Sequence, residues 1–261
     1  MKYYVVADVH SYYQELETAL KEKGFFEDTK PHKLIVCGDL FDRGRESVQV
    51  QDFICDLMSK KQVILIKGNH EDMLEELIRN GKRWFNFPDI AYTHHWHNKA
   101  VQTVLDLAGN TLFDLGNPDK IVADIKKTPA FSKIIPKMRN FYETEHYIFV
   151  HGWIPCRRVA NVKDKPSFVR YRDDWRDASD ESWEYARGDN GMYQWNEGVR
   201  EPNKTIVCGH WHASWGHYYI DGKGSEVGND ADFSPFIAKG IIALDACTAL
   251  SRKVNCVVLE D

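Results

Sequence analysis

The chain has 261 residues, 43% hydrophobic and 28% charged, with a formal net charge of −5, the make-up of an ordinary globular protein long enough to bury a sizeable core. The negative balance supplies no basic field, so stable nucleic-acid binding is not expected. No apolar run approaches the roughly 20 residues that span a bilayer, and the N-terminal MKYYVVADVH turns acidic by Asp8 without the apolar core of a signal peptide, so a cytoplasmic location is expected.

The first run, YYVVADVH (3–10), is β-rich and ends in polar residues. Behind it, SYYQELETALKEKGF carries Tyr13, Leu16 and Leu20 on one stripe, which predicts a helix with Ser11 as N-cap and Gly24 as stop. KLIVCGD (33–39) predicts a second strand, 47–61 a helix, VILIKGNHE (63–71) a third strand and 71–81 another helix. Apolar runs of four or five residues suit strands buried on both faces, and the strand–helix alternation implies parallel pairing in a layered α/β core. From 82 to 140 the pattern loosens into a helical insertion, with HNKAVQTVLDLAG its clearest stretch. YIFVHGW (147–153) is a further strand, and 154–203 forms a long connection with few clear elements, of the kind that builds lids and binding loops. TIVCGHWH (205–212), GIIALDAC (240–247) and VNCVVLED (254–261) are the closing strands. The 6 cysteines form no CxxC pair, and several sit inside these runs as reduced core thiols would.

Five strand ends carry the chemistry-bearing residues. They are Asp8 and His10, then Asp39, Asp42 and Arg43, then Asn69 and His70, then His151, then His210 and His212. Ligands of open α/β sheets gather outside the carboxyl ends of strands, so convergence is expected. Carboxylates, one amide oxygen and imidazoles without thiolates suit Mn²⁺, Fe or Zn²⁺. Asp39 has two oxygens with which to bridge two ions, and such a pair clamps a phosphate and acidifies a shared water. Taken singly, a histidine after a strand or a Gly-Asp pair is ordinarily a satisfied surface or turn residue. The joint pattern is different: G-D-x-x-D-R-G arises by chance in a chain of this length with a probability of order 10⁻⁴.

ADVHS (7–11), GDLFDRG (38–44), GNHE (68–71), HGW (151–153) and GHWH (209–212) resemble the ordered blocks of calcineurin-like metallophosphoesterases. GDxxDRG and GNHE are most similar to the small bacterial and phage serine/threonine phosphoprotein phosphatases, and 244–261 resembles their closing segment. The match is good over 3–75 and 147–153, and in outline over 205–259. The resemblance implies an α/β fold of two packed mixed β-sheets flanked by helices, an α/β/β/α sandwich, with 1–261 as one domain carrying the insertion.

The resemblance also implies roles. Asp8 and His10 would hold one divalent ion, Asp39 would bridge to a second, and Asn69, His151 and His210 would complete it. Manganese is the expected metal, with iron and zinc open. Arg43 would grip a substrate phosphate through its fork, and His70, oriented and kept cationic by Asp42, would protonate the leaving alkoxide. Arg43 and Asn69 are substrate-contact candidates, joined by Arg172, which lies outside the matched blocks. Ala7, Ser11 and Trp153 stand where those enzymes usually carry glycine, and Lys67 where an arginine commonly precedes GNHE. His212 has two readings: a ligand of the first ion, as in the wider superfamily, or a neighbour outside the coordination sphere.

THHWH (93–97) presents clustered histidines that could form a separate metal site, but a solvated or lid-lining aromatic patch is the expectation. Arg172, in VRYRDDWRD (169–177), is set against an alternative as part of a surface salt-bridge cluster. Glu71 should begin a helix, where its charge meets the N-terminal dipole. The expected function is a metal-dependent phosphomonoesterase, akin to serine/threonine phosphatases, acting through a dimetal-bound hydroxide on a phosphoprotein or small phosphate ester. Its nearest rival is a symmetrical diadenosine tetraphosphate hydrolase or related nucleotide pyrophosphatase, since some of those carry GHW as here. An inactive metal-binding scaffold is the rival from another class.

Overall fold

The computed structural model of the chain describes residues 1–85, 89–159 and 168–261. Its first sheet has the order β11-β1-β2-β3. Strands β1 (Lys2–Val6), β2 (His32–Cys37) and β3 (Val63–Ile66) run parallel, and β11 (Cys256–Glu260) closes the edge antiparallel to β1. The second sheet, ordered β4-β5-β8-β10-β9, comprises β4 (Tyr142–Glu143), β5 (Tyr147–Phe149), β8 (Thr205–Cys208), β9 (Phe236–Ala238) and β10 (Ile241–Ala243). In it β5, β8 and β10 are parallel and the edge strands antiparallel.

Strand periodicity explains the apolar runs. Tyr3, Val5, Ala7, Ile35, Cys37, Ile64 and Ile66 of the first sheet meet Phe149, Val207, Ile242 and Leu244 of the second in a core between the sheets. Their neighbours Tyr4, Val6, Leu34, Val36 and Leu65 point the other way, into helices. On the far side, Ile148, Val150, Ile206, Cys208, Ile241 and Ala243 pack against Trp153, Trp175 and Trp183. Each strand is thus apolar on both faces because it serves two cores. The result is the four-layered α/β/β/α sandwich.

The first sheet is covered by α1 (Tyr13–Glu22), α2 (Ser47–Ser59) and α3 (Asn69–Arg79). Gly24, at φ +77°, follows the end of α1 as expected. Ser11 does not cap it. The residue at the cap is Tyr12, without a side-chain bond, and the Ser11 hydroxyl pairs with Ser47 Oγ at 2.9 Å. Its own φ of +58° aims the side chain at α2 instead. Among the described residues that follow are the α-helices α4 (Gly81–Trp84), α5 (His94–His97), α6 (Ala100–Ala108) and α7 (Pro118–Ile125). Val101, Val104, Leu105, Ile121 and Ile125 from α6 and α7 join the core of the first sheet.

The region 154–203 is more ordered than its sequence suggests. Its described residues include the paired strands β6 (Arg157–Val159) and β7 (Phe168–Arg170), and the helices α8 (Asp180–Arg187) and α9 (Gly191–Asn196); residues 160–167 of that region lie outside the description. Helices of 8 and 6 residues are too short to show periodicity, yet Trp183 and Met192 bury them against the second sheet. Two short helices, α10 (Ser214–Tyr219) and α11 (Thr248–Ser251), complete the chain. Among the described residues no helix is long and apolar enough to cross a membrane.

Candidate active site

The parallel strands of both sheets end on one side, and the loops leaving them meet there. These loops are sharply folded. Asp8, His10, Ser11, Asp39, Asp42, Arg43 and His210 all have φ between +51° and +72°, a left-handed conformation uncommon outside glycine, although Asp and His tolerate it better than most. Such strain persists only where surrounding structure enforces it. Backbone bonds do so here: His10 and Ser11 N–H donate to the carbonyls of Asp39 and Leu40 at 2.9 and 3.0 Å, and Gly44 N–H to His10 at 2.8 Å. Gly68 packs so closely on Asp39 that an added Cβ would strike the carboxylate, and a methyl on Gly209 would likewise strike Asp8.

Asp39 is the hub. It is buried, and its two oxygens face different partners. Oδ1 lies 3.3 Å from His151 Nε2 and accepts the His70 N–H at 3.0 Å. Oδ2 lies 3.6 Å from His10 Nε2 and 3.8 Å from His70 Nε2. Candidate ligand atoms accordingly form two groups that share Asp39: His10–Asp39–His70 and Asp39–His151–His210. Burial alone would raise the Asp39 carboxyl, but His151 and His70 outweigh it and hold it well below the ordinary range.

The imidazoles are held by backbone. His10 Nδ1 meets the Phe41 carbonyl at 3.1 Å, His151 Nδ1 the Cys37 carbonyl at 2.8 Å, and His210 Nε2 the Gly188 carbonyl at 3.1 Å. Asn69 Oδ1 lies 2.9 Å from His151 Nε2. Burial drives His10 well down, with Arg43 and His70 adding repulsion, and it drives His210, beside His151, down to about 3. Both are therefore neutral, as metal ligands must be. His151 goes the other way: burial would lower it, but Asp39 and Asp8 carry it up to about 10. Asp8 accepts the His210 N–H on both oxygens, at 3.1 and 3.0 Å.

Alongside runs a second chain. His70 Nδ1 meets Asp42 Oδ2 at 2.8 Å, and Arg43 Nη2 lies 3.3 Å from His70 Nε2. Burial disfavours charge on His70, but Asp39 and Asp42 prevail and raise it. An imidazole so oriented and charged, next to a guanidinium, can grip an anion and give it a proton.

Two expected residues stand apart. His212 Nε2 lies 3.2 Å from Glu226 Oε1; like Asp8 it belongs to neither ligand group, but unlike Asp8 it is turned to a partner outside the cluster. Arg172 donates to Asp174 through both Nε and Nη2 at 2.8 Å, so its fork is already occupied and the salt-bridge alternative describes it. Lys67 is likewise engaged, by Asp72 at 2.8 Å and Glu75 at 2.6 Å.

Sequence reasoning missed one acidic group and the main role of another. Asp245 is buried at the end of β10 and accepts the Cys247 N–H at 2.7 Å; burial pushes its carboxyl up to about 6. It obeys the same strand-end rule as the others, and applying that rule to ALDAC would have found it. Glu71 lies in the first turn of α3 as expected, but its main work is elsewhere. It accepts the N–H groups of Asp39 (3.1 Å), Leu40 (2.9 Å) and Gly68 (2.9 Å), lashing the second loop to the third.

Comparison with known proteins adds to this geometry. A family model described as calcineurin-like phosphoesterase matches residues 1–223. An asymmetrical bis(5'-nucleosyl)-tetraphosphatase of Anoxybacillus flavithermus is 34% identical over 80 residues, 28% of this chain and 33% of the relative. A symmetrical bis(5'-nucleosyl)-tetraphosphatase of Buchnera aphidicola is 38% identical over 71 residues, 27% of this chain and 24% of the relative. Serine/threonine-protein phosphatase 2 of Escherichia coli is 38% identical over 78 residues, 30% of this chain and 33% of the relative. The chain thus spans about a quarter to a third of the length of these curated relatives. Among solved structures, a mutant cold-active protein tyrosine phosphatase superposes with a TM-score of 0.50 at 16% identity, covering 100% of this chain and 75% of that one, a likeness of fold.

Proposed function

The chain belongs to the calcineurin-like phosphoesterase family, and from that membership we propose that it is a dinuclear metal-dependent phosphomonoesterase of the serine/threonine phosphatase kind. The observation that carries the proposal is Asp39: each of its oxygens faces a separate imidazole group, with the Asp42–His70–Arg43 chain immediately beside it.

The donors fit a pair of divalent ions. Asp8 and His10 would hold one, Asn69, His151 and His210 the other, and Asp39 both, with His212 left to Glu226. Mixed oxygen and nitrogen donors without thiolate favour Mn²⁺, Fe or Zn²⁺. When bound, such ions supply Lewis acidity, which polarises phosphate oxygens and acidifies a water.

The chain's own residues do the rest. Arg43 binds and orients a phosphoryl oxygen, and Asp42 fixes the His70 tautomer with the proton on Nδ1. A second proton on Nε2, favoured by the Asp39 and Asp42 charges, is the one passed to the departing alkoxide. Burial of Asp42 and His70 keeps bulk water from competing for it. In this proposal residues 1–261 act as one domain.

A second reading, hydrolysis of dinucleoside polyphosphates, is favoured by one feature besides the relatives' names. A groove of about 900 Å³ is lined by Arg45, Trp96, His97 and Lys99 among others, and it adjoins the phosphate loop through the Arg43 N–H bond to the Asn98 carbonyl at 3.2 Å. An indole and three basic groups suit a base and its phosphate tail.

One experiment separates the readings: kcat/KM for a phosphoserine peptide, an aryl phosphate and diadenosine tetraphosphate, each with saturating Mn²⁺. The phosphatase reading expects both monoesters to exceed the dinucleotide. The reverse order moves the assignment to the nucleotide, and no turnover of any substrate leaves only a scaffold.

A further inference from the structure

Away from the strand ends, α3 and α5 bring three more potential ligands together. Glu76 Oε2 lies 3.5 Å from His94 Nε2 and 3.7 Å from His95 Nε2, and the three ligand atoms all fall within 4.8 Å of one another. The Glu76 and His94 side chains are 44% and 51% exposed, whereas that of His95 is 0% exposed. Neither ring nitrogen of His95 has a hydrogen-bond partner.

Distances decide between a surface ion pair and something more. Hydrogen bonds from imidazole to carboxylate fall at about 2.7–3.2 Å, and both contacts here are longer. Donors that share a tetrahedral zinc at bond lengths of about 2.0–2.2 Å stand roughly 3.3–3.6 Å from one another, close to the 3.5 and 3.7 Å that separate Glu76 from the two histidines. A solvated ion pair also gives no reason for a fully buried imidazole without a hydrogen-bond partner, which protein interiors avoid, whereas a metal would engage its Nε2.

We propose that Glu76, His94 and His95 form a third divalent-metal site, suited to zinc, that staples α5 to α3. His95 supplies the ligand from the protein side, His94 and Glu76 close it from the solvent side, and water takes the remaining position. Burial, with His94 adding to it, lowers His95 to about 4, so its imidazole is neutral at ordinary pH. The rings of His94 and His95 lie 3.9 Å apart at 39°. Thr93 Oγ1 starts that helix by accepting the Trp96 N–H at 3.4 Å. The site lies outside the dinuclear centre, and it stands whether or not that centre is catalytic. The two elements it joins adjoin that centre: α3 begins with Asn69 and His70, and Asn98, directly after α5, accepts the Arg43 N–H.

The test is zinc content after equilibrium dialysis against low-micromolar Zn²⁺, with parent, His94→Ala and Glu76→Gln proteins compared. Both altered side chains are half-exposed, so the fold should survive, and a Mn²⁺-supported assay on an aryl phosphate reports its integrity. The expected result is one zinc fewer per chain in each variant, loss of part of the zinc-induced rise in Tm, and unchanged Mn²⁺ activity. Titration with Co²⁺ should show, in the parent only, visible absorption from the additional four-coordinate site. Equal zinc content in parent and variants overturns the proposal, and a lower Tm without any change in zinc content reduces the cluster to an ion pair.

Discussion

Asp39 and Asp42 are three positions apart on one loop, are both buried, and are driven in opposite directions. Burial raises each, but Asp39 is surrounded by His151, His70 and His10 and ends well below the usual carboxylate range, while for Asp42 burial outweighs the pull of His70 and Thr103 and leaves it above that range. Their environments divide the work that identical side chains could share: Asp39 as a permanent anion, Asp42 as the support of an imidazole. If His70 is the acid, His70→Asn should lower kcat for a phosphoserine peptide by about 10²–10⁴-fold, and far less for a nitrophenyl ester, whose leaving group departs unprotonated. Measured at saturating Mn²⁺, equal losses on the two esters would make His70 a phosphate-binding group. Glu71 permits a prediction of another kind. It takes three backbone N–H bonds in the interior, and Glu71→Gln turns one acceptor into a donor facing a donor. A loss of about 2 kcal/mol in urea unfolding is expected, since a buried N–H left without an acceptor costs its full desolvation. The motif GDLFDRG was legible because its signal is local. The use of Glu71 was not, because Asp39 and Leu40 lie more than thirty residues away and a sequence shows only the turn it begins.

The seven strands read from apolar runs all form, because a strand buried on both faces writes itself as a continuous run. What escaped notice were the elements whose pattern is shorter than its period: β4, β9, the β6–β7 pair, and α8 and α9. Their positions are set by distant partners. Strand β4, for instance, is two residues long, but Glu143 on it meets Arg176 through two bonds at 2.8 and 2.6 Å and Lys204 at 2.9 Å, while Arg176 also reaches Glu201 at 2.8 Å. This network ties the edge of the second sheet to the segments before α8 and after α9. Arg176 and Lys204 hold the Glu143 carboxyl down at about 2, against 4.5 when free. The sign follows from linkage: a depressed acid stabilises fully above its unfolded value and loses that contribution as pH falls through its folded one. The parent should therefore lose stability faster than Glu143→Gln between about pH 4.5 and 2. Parallel curves for the two proteins in urea titrations across that range would mean that the network is decorative.

At the scale of the whole molecule, the proposed metal centre lies at the seam of the sandwich. Asp8, His10, Asp39 and Asn69 follow strands of the first sheet, and His151, His210 and the nearby Asp245 follow strands of the second. Between the sheets themselves lies mainly the apolar core of Val5, Ile35, Phe149, Val207 and their neighbours, so ions bound at the seam would cross-link two layers otherwise joined by packing. An ion held at 100 times its Kd stabilises by about 2.7 kcal/mol, worth roughly 5–10 °C in Tm for a protein of this size. Removing metal with a chelator should thus lower Tm by at least that much, and hydrogen exchange should quicken at the carboxyl ends of β1, β2, β5 and β8 together, since each end loses the same tie. Asp39→Asn should erase most of the Mn²⁺-dependent rise in Tm while leaving the metal-free Tm within a few degrees, because it takes charge from the seam and leaves the core intact. The rise should also grow from pH 5 to 7: His10 and His210 are already neutral there, but His151 must give up a proton that Asp39 and Asp8 hold with a pKa of about 10. Exchange that quickens in one sheet alone would place the ions within that sheet's loops, and a Tm indifferent to chelator would remove the seam from the account of stability.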